Sequence, residues 1–129
     1  MGNQPHIAFT GTVARGRGIG AKLGFPTVNL FVENRDLPVF GVYASRIRVR
    51  GKTLPGVTNV GVRPTVGSDA HGAPPSVETY IFDFSEDVYG EEITVVLEKF
   101  LREEKKFGSA EELAEQVRRD MENAKNFVT

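Results

Sequence analysis

Apolar and polar positions alternate with a period of two over most of the chain, which is typical of β-strands that bury one face. The alternation is clear in residues 7–14 and again in residues 43–50, where arginines alternate with apolar side chains. Residues 77–84 and 93–100 are runs of β-branched and aromatic residues of strand length. Gly51-Lys52 indicates a tight turn into a short strand at residues 56–60. Together these segments predict five or six short strands.

The last quarter of the chain changes to a helical period. Ser109 and Glu112 form a capping box, in which the serine hydroxyl accepts a backbone N–H and Glu112 reaches back to the Ser109 N–H. Apolar positions then recur on one helix face: Leu113, Val117, Met121 and Ala124. We predict an amphipathic helix over residues 109–127 that packs on the outside of the sheet. Strands followed by one helix favour an all-β dominated fold, a small closed or nearly closed antiparallel barrel.

Two segments contain too many glycines and prolines for the interior of a strand or helix. Residues 15–29 hold four glycines and one proline, and residues 65–75 hold two of each. Loops of this length are uncommon in a compact domain and are usually functional or disordered. They are therefore the first places where chemistry is expected.

Composition restricts that chemistry. The 129 residues carry 16 Lys+Arg against 17 Asp+Glu, and this near-neutral balance removes the bulk electrostatic argument for a nucleic-acid binder. No stretch approaches the ~20 apolar residues of a membrane span, and no basic-then-apolar leader is visible, so we expect a cytoplasmic protein. Cysteine is absent, and His6 and His71 are not at a metal-ligand spacing. Carboxylates, hydroxyls, glycines and a bound metal are left.

The first irregular segment opens with alternate glycines, Gly16, Gly18 and Gly20, followed by Lys22. Glycines let backbone N–H groups converge on an anion, and a lysine adds a positive charge. The run lacks the ending of a Walker loop, and no helix pattern follows it as a dinucleotide-binding fingerprint requires. A phosphate-binding loop and an ordinary flexible loop both remain open.

Thr27 and Asn29 follow this loop and make the phosphate interpretation the favoured one. Pro26 fixes its own φ and holds Phe25 extended, so the backbone entering Thr27 is rigid. Two residues apart on an extended segment, Thr27 and Asn29 project to the same face. A hydroxyl and an amide oxygen suit Mg²⁺ that takes most of its ligands from water and nucleotide phosphates. The alternative is that both residues only cap a turn.

Glu78 is the most interesting carboxylate of the sequence, because it shares a strand face with Tyr80, Phe82 and Phe84. If that face is partly desolvated, burial would raise the pKa of Glu78 toward neutrality and suit it to general-base work. If Glu78 lies at the solvent end of the face, it is an ordinary exposed glutamate. Asp83 and the acidic residues 86–87 are expected in a solvated turn.

Arg46, Arg48 and Arg50 form a row on one strand face. A solvated strand face is the favoured interpretation of this row. A small oligonucleotide-binding barrel is the alternative, and salt-sensitive binding to single-stranded nucleic acid would support it.

Five segments, taken in order, resemble the riboflavin kinase family. They are Gly16-x-Gly-x-Gly-x-Lys22, Gly24-Phe-Pro-Thr-Val-Asn29, Val77-Glu-Thr79, Asp87-Val-Tyr-Gly-Glu91 and Leu101-Arg-x-Glu-x-x-Phe107. Each motif is modestly specific, but the five together run from about Gly11 to the final helix. The resemblance implies a six-stranded antiparallel, Greek-key-like barrel with a C-terminal helix. Residues 1–129 would then form one such domain, with residues 1–6 flexible.

The same resemblance implies an activity. Such enzymes transfer the γ-phosphoryl group of ATP to the 5′-hydroxyl of riboflavin, giving FMN and ADP, with Mg²⁺ on the nucleotide. The expected partners are these small molecules, without nucleic acid or membrane, and the expected state is a monomer. A flavin- or nucleotide-binding barrel without transferase activity is the alternative, but it gives Thr27, Asn29 and Glu78 no joint role.

Site roles follow by likeness to the family. Glu78 matches the base that accepts the hydroxyl proton, while Thr27 and Asn29 match the metal and phosphate ligands. Other positions match nucleotide contacts: Gly16, Gly18, Gly20, Lys22, Ile81, Asp83 and Tyr89. A third group matches a segment that closes over the flavin: Arg102, Lys105 and Phe107. The chain departs from many bacterial members at Gly20-Ala-Lys22, where they carry Gly-Arg, and at Glu103, where proline is usual.

Overall fold

The described part of the chain forms six strands and one helix. In the computed structural model, residues 7–14, 27–31, 38–62, 75–84, 86–105 and 108–128 are described. The elements are β1 (Ile7–Ala14), β2 (Thr27–Phe31), β3 (Gly41–Val49), β4 (Lys52–Val62), β5 (Pro75–Ile81), β6 (Glu92–Arg102) and α1 (Ala110–Val128). The predicted helix is confirmed, displaced by one residue at each end.

The six strands close into an antiparallel barrel in the order β1-β2-β5-β4-β3-β6, with β6 paired to β1. This confirms the predicted fold class. One end of the barrel, called the loop end below, carries the last residue of β1, Ala14, and the first of β2, Thr27. The β3–β4 turn, the end of β5 and the start of β6 lie at the same end.

The apolar side chains of the described residues form two clusters, one inside the barrel and one outside it. Phe9, Ile47 and Ile93 are among the fully buried residues of the interior. The outer cluster joins the strands to the helix, and its buried members are Val42, Ala44, Val57, Phe82, Ala124 and Val128. Burial of this second face explains why the helix has to pack on the sheet, as its apolar stripe predicted.

Strand β3 shows where the helix covers the barrel. Val42 and Ala44 on its outer face are buried beneath α1, whereas Arg46 and Arg48 further along the same face are exposed. Arg46 Nη2 reaches the backbone oxygen of Phe127 at 3.5 Å, near the end of the helix. Polar and apolar residues therefore alternate in β3 only from Arg46 onward, where the helix no longer covers the outer face.

The capping box is formed with one change of partner. The Glu112 N–H donates to Ser109 Oγ at 3.2 Å, as predicted. The Glu112 carboxylate, however, accepts the N–H of Gly108 at 2.9 Å, so the expected bond to the Ser109 N–H is wrong. The Glu112 carboxylate thus binds the N–H one residue earlier than predicted, because the chain turns at Gly108 before the helix begins.

The predicted β3–β4 turn is also wrong by one residue. The turn residues are Arg50 and Gly51, both with positive φ (50° and 76°), which is the geometry of a two-residue hairpin. Strand β4 is also longer than the predicted 56–60. It begins at Lys52 and runs through Pro55, whose carbonyl accepts the Phe82 N–H at 2.9 Å.

Candidate active site

A row of three polar residues crosses the outer face of the barrel. Asn29 on β2 and Asn59 on β4 are the register partners of Glu78 on β5, one on each side. Side chains of directly opposed residues in antiparallel strands point to the same face, with Cβ atoms about 4.5–5.5 Å apart. Asn29 is only 6 % exposed. The Glu78 carboxylate therefore lies between two amide side chains, one of them buried.

A second row lies next to the first, toward the loop end. Thr27 is paired with Tyr80, and Tyr80 with Val57. The interior positions of the same strands, such as Val28 and Val77, belong to the barrel core. Thr27, Asn29 and Glu78 thus share one outer patch, as the two-residue spacing predicted for the first two.

The patch borders a pocket of about 230 Å³ between the barrel and α1. The barrel wall is largely apolar where Val42, Val57 and Tyr80 line it. The polar rim is formed by Asn59, Glu78, Arg102, Glu104 and Lys105, and the helix contributes Leu113, Val117 and Asp120. An apolar wall with a few polar groups at one edge is the usual form of a site for a small ligand.

Tyr80 lines this pocket with an uncharged side chain. Burial raises the pKa of its hydroxyl well above the ordinary value, and the negative charge of Glu78 raises it further. Tyr80 consequently keeps its proton at neutral pH.

An ion pair anchors the end of β6 to the helix. The Arg102 guanidinium donates Nε to Asp120 Oδ1 at 2.9 Å and Nη2 to Oδ2 at 2.8 Å. Asp120 is buried, and Gln116 Nε2 donates to its Oδ1 at 3.0 Å. Two parallel hydrogen bonds fix both the orientation and the position of the guanidinium. Arg102 is therefore held in place as a cationic part of the pocket wall.

Asp120, Asn59 and Glu104 were missed by the sequence-based assignment of the site. A signal existed for Asp120, a carboxylate three residues after Val117 on the apolar stripe of the helix. No local pattern marks Asn59 or Glu104, because their place beside Glu78 depends on strand register and on the path of the chain after β6.

Phe84 does not share the face of Glu78, which corrects one expectation. Strand β5 ends at Ile81, and Asp83 has a φ of 53°, so the alternation stops there. Phe84 then packs against the interior cluster, whereas Phe82 stays in the outer cluster near α1. Glu78 therefore shares its face with two aromatic residues, Tyr80 and Phe82.

The remaining predicted nucleotide contacts lie at the loop end. Ile81 is buried in the barrel core, so its side chain faces away from any ligand outside. Asp83 and Tyr89 are exposed, as expected for turn residues. Tyr89 and Ile81 are close to the strand ends that flank residues 15–26, because the Gly90 N–H donates to the Val13 carbonyl and Tyr80 is the register partner of Thr27. Their contact with a nucleotide stays a prediction.

Arg50 holds the turn that carries Tyr89. Its guanidinium donates to Glu91 Oε1 at 3.0 Å, to Glu86 Oε1 at 2.9 Å and to the backbone oxygen of Asp87 at 3.1 Å. The hydrogen bond from Arg50 lowers the pKa of Glu91, and the same bond raises the pKa of Arg50. The turn is thereby tied to the β3–β4 hairpin through an exposed ionic cluster.

The arginine row has the solvated character that the sequence favoured. Arg46, Arg48 and Arg50 are all exposed. Arg46 pairs with Glu98 at 3.3 Å, and Arg50 pairs with Glu86 and Glu91. Acidic neighbours compensate two of the three cations.

The side chains of Thr27 and Asn29 have a chemistry that fits a Mg²⁺ ion. In the described ranges no group of three or more Asp, Glu, His or Cys could hold a metal. A hydroxyl and a buried amide on one patch provide neutral oxygen donors, which suits an ion coordinated mainly by phosphate and water.

Several predicted site residues are not among the residues that the structure describes. Gly16, Gly18, Gly20, Lys22 and Phe107 lie outside the described residues, as does most of the second irregular segment. Among the helices of the described part, none is long and apolar enough to cross a membrane.

One known family matches nearly the whole chain. The sequence model of the flavokinase family, described as riboflavin kinase, matches residues 3–128. The chain belongs to the riboflavin kinase family. The resemblance noted in the five segments is thus confirmed over nearly the whole chain.

Relatives within the family are mostly longer proteins. The chain is 41 % identical over 122 residues to the bifunctional riboflavin kinase/FMN adenylyltransferase of Escherichia coli strain K12, covering 94 % of the chain and 38 % of the relative. It is 40 % identical over 113 residues to the RNA-binding riboflavin kinase RibR of Bacillus subtilis, covering 88 % and 47 %. The chain therefore spans less than half the length of these two relatives.

A solved structure supports the fold assignment. The riboflavin kinase of Trypanosoma brucei superposes with a TM-score of 0.62 at 20 % identity, over 97 % of this chain and 81 % of that one. At this identity the similarity concerns the barrel fold alone.

Proposed function

We propose that the chain is an ATP-dependent riboflavin kinase, which transfers the γ-phosphoryl group of ATP to the 5′-hydroxyl of riboflavin and releases FMN and ADP. One observation carries the proposal beyond membership of the family. Glu78 lies on the rim of the helix–barrel pocket and is the register partner of Asn29, on the same patch as Thr27. This position supports a role for Glu78 between the proposed metal ligands and the cavity proposed for the acceptor.

Riboflavin, the acceptor of the phosphoryl group, binds in the helix–barrel pocket. The flat, largely apolar ring system of riboflavin fits against the Val42, Val57 and Tyr80 wall, and its ribityl chain points toward Glu78. Arg102 and Lys105 supply donors and positive charge along the rim, with Phe107 as a further flavin contact. Glu78 orients the 5′-hydroxyl and accepts its proton as the new O–P bond forms.

The donor side uses the other half of the patch. Thr27 and Asn29 hold Mg²⁺, which when bound neutralises charge on the transferred phosphoryl group. The glycine loop Gly16–Lys22 supplies backbone N–H groups and a lysine over the phosphates. Asp83 and Tyr89 at the loop end, and the backbone of Ile81, contact the rest of the nucleotide.

Phosphoryl transfer requires mainly positioning and charge stabilisation, and this chain provides the side chains for both. No thiol and no histidine is needed, which agrees with a composition without cysteine and with two histidines. The partners required are small molecules. We infer a cytoplasmic monomer, and gel filtration tests its oligomeric state.

Incubation of the chain with riboflavin, ATP and Mg²⁺, followed by chromatographic separation of flavins, tests the proposal. We expect FMN to form, and its formation to stop when Mg²⁺ is chelated. Binding of both substrates without FMN would instead support the alternative, a flavin- or nucleotide-binding barrel without transferase activity.

A further inference from the structure

Glu104 is a second carboxylate on the pocket rim, and the mechanism above does not use it. Asn59 Nδ2 donates a hydrogen bond to Glu104 Oε2 at 3.2 Å. The carboxylate also lies directly over Gly61 on β4, where an added Cβ would overlap it. Strand β4 thus offers this carboxylate both a hydrogen-bond donor and the space of a missing side chain.

The chain on both sides of Glu104 is fixed to the helix. Arg102 is bound to Asp120 by the two hydrogen bonds described above, and Arg102 Nη1 donates to the Glu103 backbone oxygen at 2.9 Å. Lys105 Nζ lies 3.3 Å from Gln116 Oε1. Contacts before and after Glu104 therefore direct the segment across the pocket mouth from α1 to β4.

Asn59 connects this carboxylate to the reacting end of the pocket. Asn59 is the register partner of Glu78, and its amide donates to Glu104. The two carboxylates consequently lie on either side of one amide, at the same edge of one cavity. A substrate that lies along this edge of the cavity with its terminal hydroxyl at Glu78 therefore passes the part of the rim where Glu104 lies.

We propose that Glu104 is a binding residue for the internal hydroxyls of the ribityl chain. Asn59 and Gly61 form its seat, that is, Asn59 donates a hydrogen bond to the carboxylate and Gly61 leaves room for it. The inference rests on the proposed function, because it takes the 5′-hydroxyl to be at Glu78. An ionised carboxylate only accepts hydrogen bonds, and the hydroxyls adjacent to the 5′ position are donors. Glu104 therefore makes the pocket selective for a flavin that carries a polyol chain.

Binding of two flavins to each variant tests the proposal. Riboflavin carries the ribityl chain, whereas lumiflavin has the same ring system with a methyl group in its place. Quenching of flavin fluorescence gives a dissociation constant for each. We expect Glu104→Ala to weaken riboflavin binding about 10-fold, as for one lost hydrogen bond to a charged acceptor, and to leave lumiflavin binding unchanged.

Two further variants separate this role from a general effect on the segment. Glu103→Ala removes the adjacent exposed carboxylate, which does not line the pocket, and should change neither constant. Gly61→Ala keeps Glu104 but displaces its carboxylate, so it should reduce the preference for riboflavin. The same substitution should have no further effect in a Glu104→Ala background.

The ratio of the two dissociation constants decides the outcome. Equal weakening of both flavins by Glu104→Ala, or no change in either, would overturn the assignment. A Gly61→Ala protein with an unaltered preference would contradict the proposed seat. Failure of the wild-type chain to form FMN would refute the proposed function, whereas an unaltered binding ratio in a chain that forms FMN would refute the role of Glu104 alone.

Discussion

The two sides of the proposed active site are built differently. On the flavin side, the pocket wall is fixed by the buried Asp120, which accepts two hydrogen bonds from Arg102. At the loop end, the turn with Tyr89 is held by Arg50, an exposed arginine paired with exposed carboxylates. Loss of one partner from a buried pair is costly, whereas exposed pairs contribute little to stability. The comparison indicates that the Arg102–Asp120 pair on the flavin side contributes more to folding than the exposed ionic cluster of the loop end.

The largest effect is expected in the chemical step that joins the two sides. Glu78→Gln keeps the size of the side chain but removes the proton acceptor, so turnover should fall about 10²–10⁴-fold while riboflavin binding is kept. Steady-state FMN formation and flavin titration measure the two quantities. Glu92→Gln, at an exposed position on β6, is the control. Turnover within about twofold of wild type would exclude Glu78 as the base.

The flavin side should show the largest effect on stability. Asp120→Ala leaves Arg102 without its buried partner and should lower the free energy of unfolding by about 2–3 kcal/mol. This is less than the ~3–5 kcal/mol of a fully buried pair, because Arg102 is partly exposed. Urea denaturation measures the change. Glu115→Ala removes an exposed helix pair with Arg119 and should cost about 0.3–0.5 kcal/mol. Equal losses in the two variants would contradict the proposed difference between buried and exposed pairs.

The nucleotide side should lose binding rather than stability. Thr27→Ala removes one oxygen donor from the proposed metal site and should weaken Mg-ADP binding about 10-fold. Calorimetric titration compares it with Thr10→Ala, which removes an exposed hydroxyl bonded to Thr94 on the β1–β6 face. Unchanged Mg-ADP affinity would show that Thr27 is not a metal ligand and has only a structural role in β2.

The smallest effect is expected at the ionic cluster of the loop end. Since Arg50 lowers the pKa of Glu91, their pairing stabilises the fold above the ordinary carboxylate pKa of 4.5 and stops doing so as the pH falls through the lowered value. Glu91→Gln should therefore be slightly less stable than wild type at neutral pH. The difference should vanish in acid, as thermal unfolding across that pH range would show. A difference that grows as the pH falls would contradict this assignment.

Most of the barrel could be predicted from the sequence, because the strands bury one face outside the contact with the helix and the side chains alternate accordingly. Glu78 was recognisable because a carboxylate stands in line with aromatic residues, and Thr27 and Asn29 because of their two-residue spacing. Errors arose where local rules are overridden. Arg50 takes a positive φ within the hairpin, and Asp83 ends the alternation before Phe84.

The other half of the site depends on long-range contacts. Asn59 is beside Glu78 only because β4 pairs with β5 in one register, and Asp120 meets Arg102 only because the helix packs across β6. A shift of one residue in that register would turn Asn59 away from the pocket. No short pattern in the chain encodes such pairings.

In the proposed reaction, one phosphoryl group passes from the nucleotide side of the site to the flavin side. Incubation with riboflavin, Mg²⁺ and ATP labelled in its γ-phosphoryl group tests it most directly. We expect the label to appear in FMN, in equal amount to the ADP formed, and this transfer to be nearly lost in Glu78→Gln. Label that is released as inorganic phosphate, or that stays in ATP while riboflavin is bound, would contradict it.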